Sequence, residues 1–207
     1  MMMSSADLKK QLEKMQRDWD SRARENARFY VNTERSDWTD EEFFHSGERT
    51  VAEEILTDMI NICQGREPAT MRVLEIGCGA GRVTRALSAL FGEVYGVDIS
   101  GEMIRQARTA LAERPNVRLF QNNGKDLSVL GDVVFDFAFS SIVFQHIPSA
   151  EVIENTINHV NAAWRMAVLD LAPDDCLAAR KDSVRPFGEK CHPIVGIDEC
   201  QIQREGR

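Results

Sequence analysis

Three glycines at alternate positions follow a carboxylate in Glu75-Ile-Gly-Cys-Gly-Ala-Gly81. Glycine at 77, 79 and 81 permits a tight turn and lets a ligand come close to the backbone. A diphosphate loop needs glycine at its first, third and sixth positions. Here the sixth is Arg82, whose side chain is expected to crowd a pyrophosphate against the start of the following helix. Glu75 supplies negative charge suited to an ammonium, and the helix start favours a carboxylate. Asp98 ends the next apolar segment, where an acid can accept two hydrogen bonds from ribose hydroxyls. Ile99 beside it offers an apolar plate to a purine. These residue types together describe an amino acid joined to an adenosine, without a diphosphate.

The elements that must position these groups follow from periodicity. Residues 71–76, 93–98, 117–120 and 135–140 are short apolar runs, the first closed by the glycine cluster, and read as buried parallel strands. Between them lie helical stripes. Val83, Ala86, Leu87, Leu90 and Phe91 form one; Met103, Ile104, Ala107 and Leu111 form another, capped by Ser100. Strand and helix alternating in this rhythm predict an α/β fold, a doubly wound, mostly parallel Rossmann-like sheet. Ahead of it, Leu8, Leu12, Met15, Trp19 and Ala23 mark a helix reaching to about Tyr30. Thr39 to Glu42 has the form of a capping box, and Val51, Ile55, Met59 and Ile62 continue a stripe that Gly65 and Pro68 stop. The expected organisation is a helical N-terminal cap over 1–68, an α/β domain over 69–172 and an irregular tail over 173–207. A helix is expected over 152–164, and 165–171 has the composition of a fifth strand.

Glu75-Ile-Gly-Cys-Gly-Ala-Gly81, Val97-Asp98-Ile-Ser100 and Phe135-Asp-Phe-Ala-Phe-Ser140 are similar to the successive motifs of class I S-adenosylmethionine-dependent methyltransferases. The resemblance covers roughly 70–150. It implies S-adenosylmethionine as the cofactor, with Gly77, Gly79 and Gly81 at the methionine moiety and Asp98 at the ribose. It also implies that Asn123 and Gly124, after the third strand, meet the adenine, and that Ser140 lies beside the methionine end. Gln145 and His146 would face the acceptor. The binding set expected from motif and chemistry together is therefore Glu75, Gly77, Gly79, Gly81, Asp98, Ile99, Asn123, Gly124 and Ser140. His146 is the one candidate base, and its plainer role is a polar residue at a helix end. No general base is forced, because the sulfonium activates the methyl carbon and the protein chiefly aligns the reactants.

Composition narrows the partners. The chain has 207 residues and a net charge of -8, which argues against a general basic surface for nucleic acid. No apolar run suggests a membrane span, and no secretory signal is visible at the start. Five cysteines without a CxxC pair suit a reducing cytoplasm. Cys176, Cys191, His192 and Cys200 are too irregularly spaced for a zinc site, so no metal is expected. Trp19, Phe29 and Tyr30 read as packing of the cap. Arg22, Arg24 and Arg28 read as a solvated helix face, from which one arginine can reach the methionine carboxylate. The leading function is methyl transfer to a small-molecule acceptor. A cofactor-binding protein without catalysis and a dinucleotide-dependent oxidoreductase are the alternatives, the last disfavoured by Arg82. After the helix near 150–163 the family's proline and paired glycines are missing. An incomplete far edge with a foreign tail and a divergent terminus remain equal alternatives, and the oligomeric state is open.

Overall fold

A computed structural model of the chain describes residues 5–147, 149, 152–153, 155–156 and 168–171. Five strands, β1 Arg72–Ile76, β2 Glu93–Asp98, β3 Val117–Gln121, β4 Phe137–Ser141 and β5 Val168–Leu171, pair in parallel in the order β3-β2-β1-β4-β5. The order reverses at β1, which opens a crevice over the carboxyl ends of β1, β2 and β4. The interior positions of the central strands are mostly apolar because both faces are covered, with Glu75 of β1 a buried exception. Val73, Val94, Phe137 and Phe139 pack on one face against Val83, Leu87 and Phe91. Leu74, Ile76, Tyr95, Val97 and Ala138 pack on the other against Leu127, Leu130, Phe135 and Phe144.

The helices are α1 Ser5–Val31, α2 Asp40–Glu54, α3 Met59–Cys63, α4 Arg82–Leu87 and α5 Gly101–Ala110. Thr39 and Glu42 form the reciprocal capping box that starts α2. The stripe expected to run on through Ile62 is broken by a 3-10 turn at Leu56–Asp58. α1 is interrupted at Asn26, where the backbone becomes extended. The Asn26 carboxamide accepts from the Phe29 amide and donates to the Ser36 carbonyl. Local side-chain bonds of this kind compete with the helix and turn its end. The fifth strand is present at the β4 edge. The tail over 173–207, and most of the helix expected at 152–164, lie outside the described residues.

α1 crosses α5 and fixes the cap to the sheet. Ala23 and Ala27 lie in one core with Met103, Ile104 and Ala107. Asp20 Oδ1 accepts from the Ser100 hydroxyl at 2.6 Å and from the Glu102 amide at 3.1 Å. Gln106 donates to the Ala23 carbonyl at 2.9 Å. Replacing Asp20 with alanine is expected to loosen α1 by about 1 kcal/mol, the usual worth of such a cap. Limited proteolysis checks this: cleavage within α1 should quicken about fivefold, while the urea midpoint moves little.

Candidate functional site

The glycine loop is fastened to the end of β2. The Gly77 and Cys78 amides both donate to the Val97 carbonyl, at 2.8 and 3.0 Å. Asp98 then holds both flanks of the crevice: Oδ2 accepts from the Gly79 amide at 2.9 Å and Oδ1 from the Ser100 amide at 2.8 Å. Burial pushes the Asp98 carboxyl up to about 6, against the pull of these amides. Glu75 is pushed further, to about 8, because it is buried and only partly compensated by the Thr84 hydroxyl and the Arg82 charge.

Positive φ makes two of the glycines irreplaceable for different reasons. Gly79, at φ +51, has a position for Cβ only 2.7 Å from Val31 Cγ2 of the cap. Gly81, at φ +86, would set a Cβ 2.8 Å from Leu111 Cδ1 on the α5 side. Gly81→Ala therefore combines backbone strain with overpacking, and should destabilise the fold by about 2 kcal/mol. Urea unfolding is the measurement; an unchanged midpoint would contradict this packing role.

A cavity lies between the strand ends and α1. Of the residues expected from the sequence, Glu75, Gly77, Gly79, Asp98, Ile99, Gly124 and His146 line it. Gly81, Asn123 and Ser140 do not. Gly81 is turned toward α5. Asn123 folds its side chain onto its own loop, accepting from the Lys125 and Asp126 amides and donating to Asp126. Ser140 is fully buried, with its hydroxyl unpartnered. Their neighbours Asn122 and Ser141 line the cavity instead. β4 runs one residue beyond the expected end, to Ser141, whereas after β3 the Asn123 side chain is held in its own loop and Asn122, next to the strand, lines the wall. The buried Asn122 Oδ1 has no hydrogen-bond partner and is a free acceptor in the wall.

Arg82 also departs from expectation. Although it lines the cavity, its Nη1 reaches α2 and donates to the Ser46 carbonyl and the Thr50 hydroxyl, each at 2.9 Å. The Arg82 carbonyl packs so closely on Gly47 that a Cβ there would stand 2.1 Å from it. The residue ties the glycine loop to the cap.

Met15, Trp19, Tyr30 and Val31 of α1 close the cavity from above. The Trp19 ring meets the His146 ring edge-on at 5.4 Å. Arg22 stands 4.8 Å from the Trp19 ring centre and 5.7 Å from that of Tyr30. Burial and the Arg22 charge hold His146 below its usual pKa, so the imidazole is neutral at pH 7. Ile142, also in the wall, has φ +59, a conformation rare for a β-branched residue and concentrated at functional sites.

A glycine loop after the central strand, an acid ending its neighbour and a helical cap give the chain the layout of the class I S-adenosylmethionine-dependent methyltransferase fold. Residues 73–165 match the family model described as a methyltransferase domain. The chain is similar to the malonyl-[acyl-carrier protein] O-methyltransferase of Bacillus cereus, with 33% identity over 99 residues, 46% of this chain and 35% of the relative. It is also similar to the ubiquinone biosynthesis O-methyltransferase of Xanthomonas axonopodis pv. citri, with 26% identity over 119 residues, 50% of each chain. The chain thus aligns with half or less of these curated relatives' lengths. In fold it resembles the magnesium protoporphyrin IX methyltransferase of Synechocystis PCC 6803, solved with bound S-adenosylmethionine. That match has a TM-score of 0.57 and 19% identity, covering 79% of this chain and 77% of the other. The cofactor of this class is S-adenosylmethionine. The unpartnered Asn122 oxygen, the two buried carboxyls and the apolar Ile99 fit its amino groups, hydroxyls and purine.

Proposed function

We propose that the chain transfers a methyl group from S-adenosylmethionine to a small-molecule acceptor held between α1 and the residues after β4. The observation carrying this reading is that one cavity joins Asp98 and the glycine loop to the aromatic and histidine wall of the cap. When bound, the cofactor supplies a methyl carbon already activated by its sulfonium. Asp98, its oxygens fixed by the Gly79 and Ser100 amides, accepts from the ribose hydroxyls. Glu75 faces the ammonium. Ile99 and Gly124 flank the purine, and Asn122 accepts from its exocyclic amine. The cap excludes water and aligns the acceptor with the methyl carbon. Neutral His146 can accept the acceptor's proton where the nucleophile must lose one.

The net charge of -8 favours an acceptor other than nucleic acid, and the proposal places the reaction in the cytoplasm. Among the described residues no helix is long and apolar enough to cross a membrane. Calorimetry with S-adenosylmethionine, followed by measurement of S-adenosylhomocysteine formed with a metabolite extract, tests the reading. Preferential binding of a nicotinamide dinucleotide would overturn it. Cofactor binding without product formation across acceptor classes would favour a binding protein.

A further inference from the structure

β4 leaves the sheet at Ser141, and the chain turns at once toward the 3-10 segment Phe144–His146. The turn falls on Ile142, whose φ of +59 lies in the left-handed region. Glycine or asparagine adopts that region at little cost, whereas the branched Cβ of isoleucine crowds its own backbone there. Such strain persists only where the surroundings over-determine it. Here both flanks are fastened. Ser140 and Phe144 are buried, and the Val143 carbonyl accepts from the His146 amide at 2.9 Å. Val143 also covers the first glycine of the loop, since a Cβ on Gly77 would stand 2.2 Å from its Cγ2.

The side chain that bears the strain takes no part in the core that holds Val143, Phe144 and Ile147. Ile142 is instead 44% exposed and lines the cavity together with Ser141 and Val143. Met15, Trp19 and Ile147 add apolar surface to the same cavity. The charged side chains lining it, Glu75, Arg82 and Asp98, come from β1, α4 and β2. Among the described residues, α1 and the turn after β4 contribute none. A residue both strained and wetted costs the free fold twice. Covering its side chain with apolar ligand surface removes the second cost, and strained residues of this kind cluster at ligand clamps.

We infer that the acceptor carries an apolar body, a ring or hydrocarbon chain beside the methylated atom, and that this body packs on Ile142. This rests on the methyl-transfer reading of the cavity and deepens it. Val143 lies on the glycine loop, so its neighbour Ile142 stands where the acceptor must approach the methyl carbon. Ile142 thereby becomes a specificity-determining residue, held in place by a turn that the fold would form more easily with asparagine.

The test uses indole and uracil, flat rings of contrasting polarity, as probes on the full chain loaded with S-adenosylhomocysteine. Isoleucine methyl groups are isotope-labelled for NMR, and the Ile142 signal is assigned by its loss in Ile142→Val. Indole should bind about tenfold more tightly than uracil, and its ring current should shift the Ile142 methyl signal to saturation. Ile142→Asn should weaken indole binding about tenfold while the urea midpoint holds or rises. Ile142→Val, which keeps the branched Cβ, should retain indole affinity within about threefold. Uracil binding as tight as indole, an Ile142 signal that does not move, or a urea midpoint that falls in Ile142→Asn each overturns the inference. So does indole affinity that survives Ile142→Asn. An equal loss of S-adenosylhomocysteine affinity in that variant also overturns it, by assigning Ile142 to the cofactor. Calorimetry of S-adenosylhomocysteine with the unsubstituted chain reports separately on the methyl-transfer reading. If that binding is absent, the reading falls, while indole contact with Ile142 is still scored on the free chain.

Discussion

Asp98→Ala should lower S-adenosylmethionine affinity on the order of 100-fold. Two hydrogen bonds from ribose hydroxyls to an ionised acceptor, worth about 1.5 kcal/mol each, amount to about 3 kcal/mol. The loss has a second component within the protein. The Gly79 and Ser100 amides, at 2.9 and 2.8 Å, would lose their acceptor, and the loop and the start of α5 would lose their common anchor. A fall in stability of about 2 kcal/mol should accompany the affinity change. Cys78→Ala is the control, because the thiol is buried and its one hydrogen bond, to the Gly79 carbonyl, is a weak 3.9 Å contact. Its effect on affinity should stay below about threefold. Calorimetry and urea unfolding on both variants decide the matter; equal losses would remove Asp98 from the ribose site.

Glu75 should make cofactor binding release a proton. Its carboxyl stays protonated to about pH 8 in the free fold, against 4.5 for an exposed group, because burial outweighs the Thr84 hydroxyl and Arg82. An ammonium placed beside it favours the ionised form, so binding near pH 7 should release close to one proton, falling toward none by pH 9. Calorimetry in buffers of different ionisation enthalpy counts that proton directly. Glu75→Gln should abolish the release and weaken binding about tenfold, or about 1.4 kcal/mol. The same group sets a stability slope. Between pH 4.5 and about 8 the unfolded chain gives up this proton while the folded chain keeps it. The stabilisation is therefore complete below pH 4.5 and is lost as pH rises through 8. Asp98 acts in the same direction, but its window closes near pH 6. The decline between pH 6 and 8 is the part that Glu75→Gln should flatten.

The elements that chain-local chemistry dictates were legible in the sequence. Thr39 and Glu42, and Ser100 before Met103, satisfy helix-end amides from within a few residues, so type and spacing sufficed. Apolar runs closed by glycine or aspartate located the central strands because both faces of a parallel sheet are buried. Single-residue strand ends were not legible. After β3, whose last residue Gln121 faces Asp98 across the sheet, the loop turns the Asn123 side chain onto the Lys125 and Asp126 amides and leaves Asn122 at the wall. The direction of Arg82 was equally hidden, since it depends on Ser46 and Thr50, more than thirty residues away. Trp19 and Tyr30 read as packing because an amphipathic stripe does not reveal which of its residues overhang a crevice.

Ser100 joins the helical cap to the strand end beside the glycine loop. Its amide donates to Asp98, and its hydroxyl donates to Asp20 of the cap. Because Met15, Trp19, Tyr30 and Val31 roof the cavity, movement of α1 would widen the way in for a ligand the size of the cofactor. In the proposed methyl transfer such a movement would act as a gate whose opening frequency limits entry and exit alike. Weakening the Asp20 contact should accelerate both exchange rates together, leaving their ratio nearly constant. The residence time of spent cofactor, rather than its equilibrium affinity, would thus be set by a hydroxyl on the far side of the binding acid.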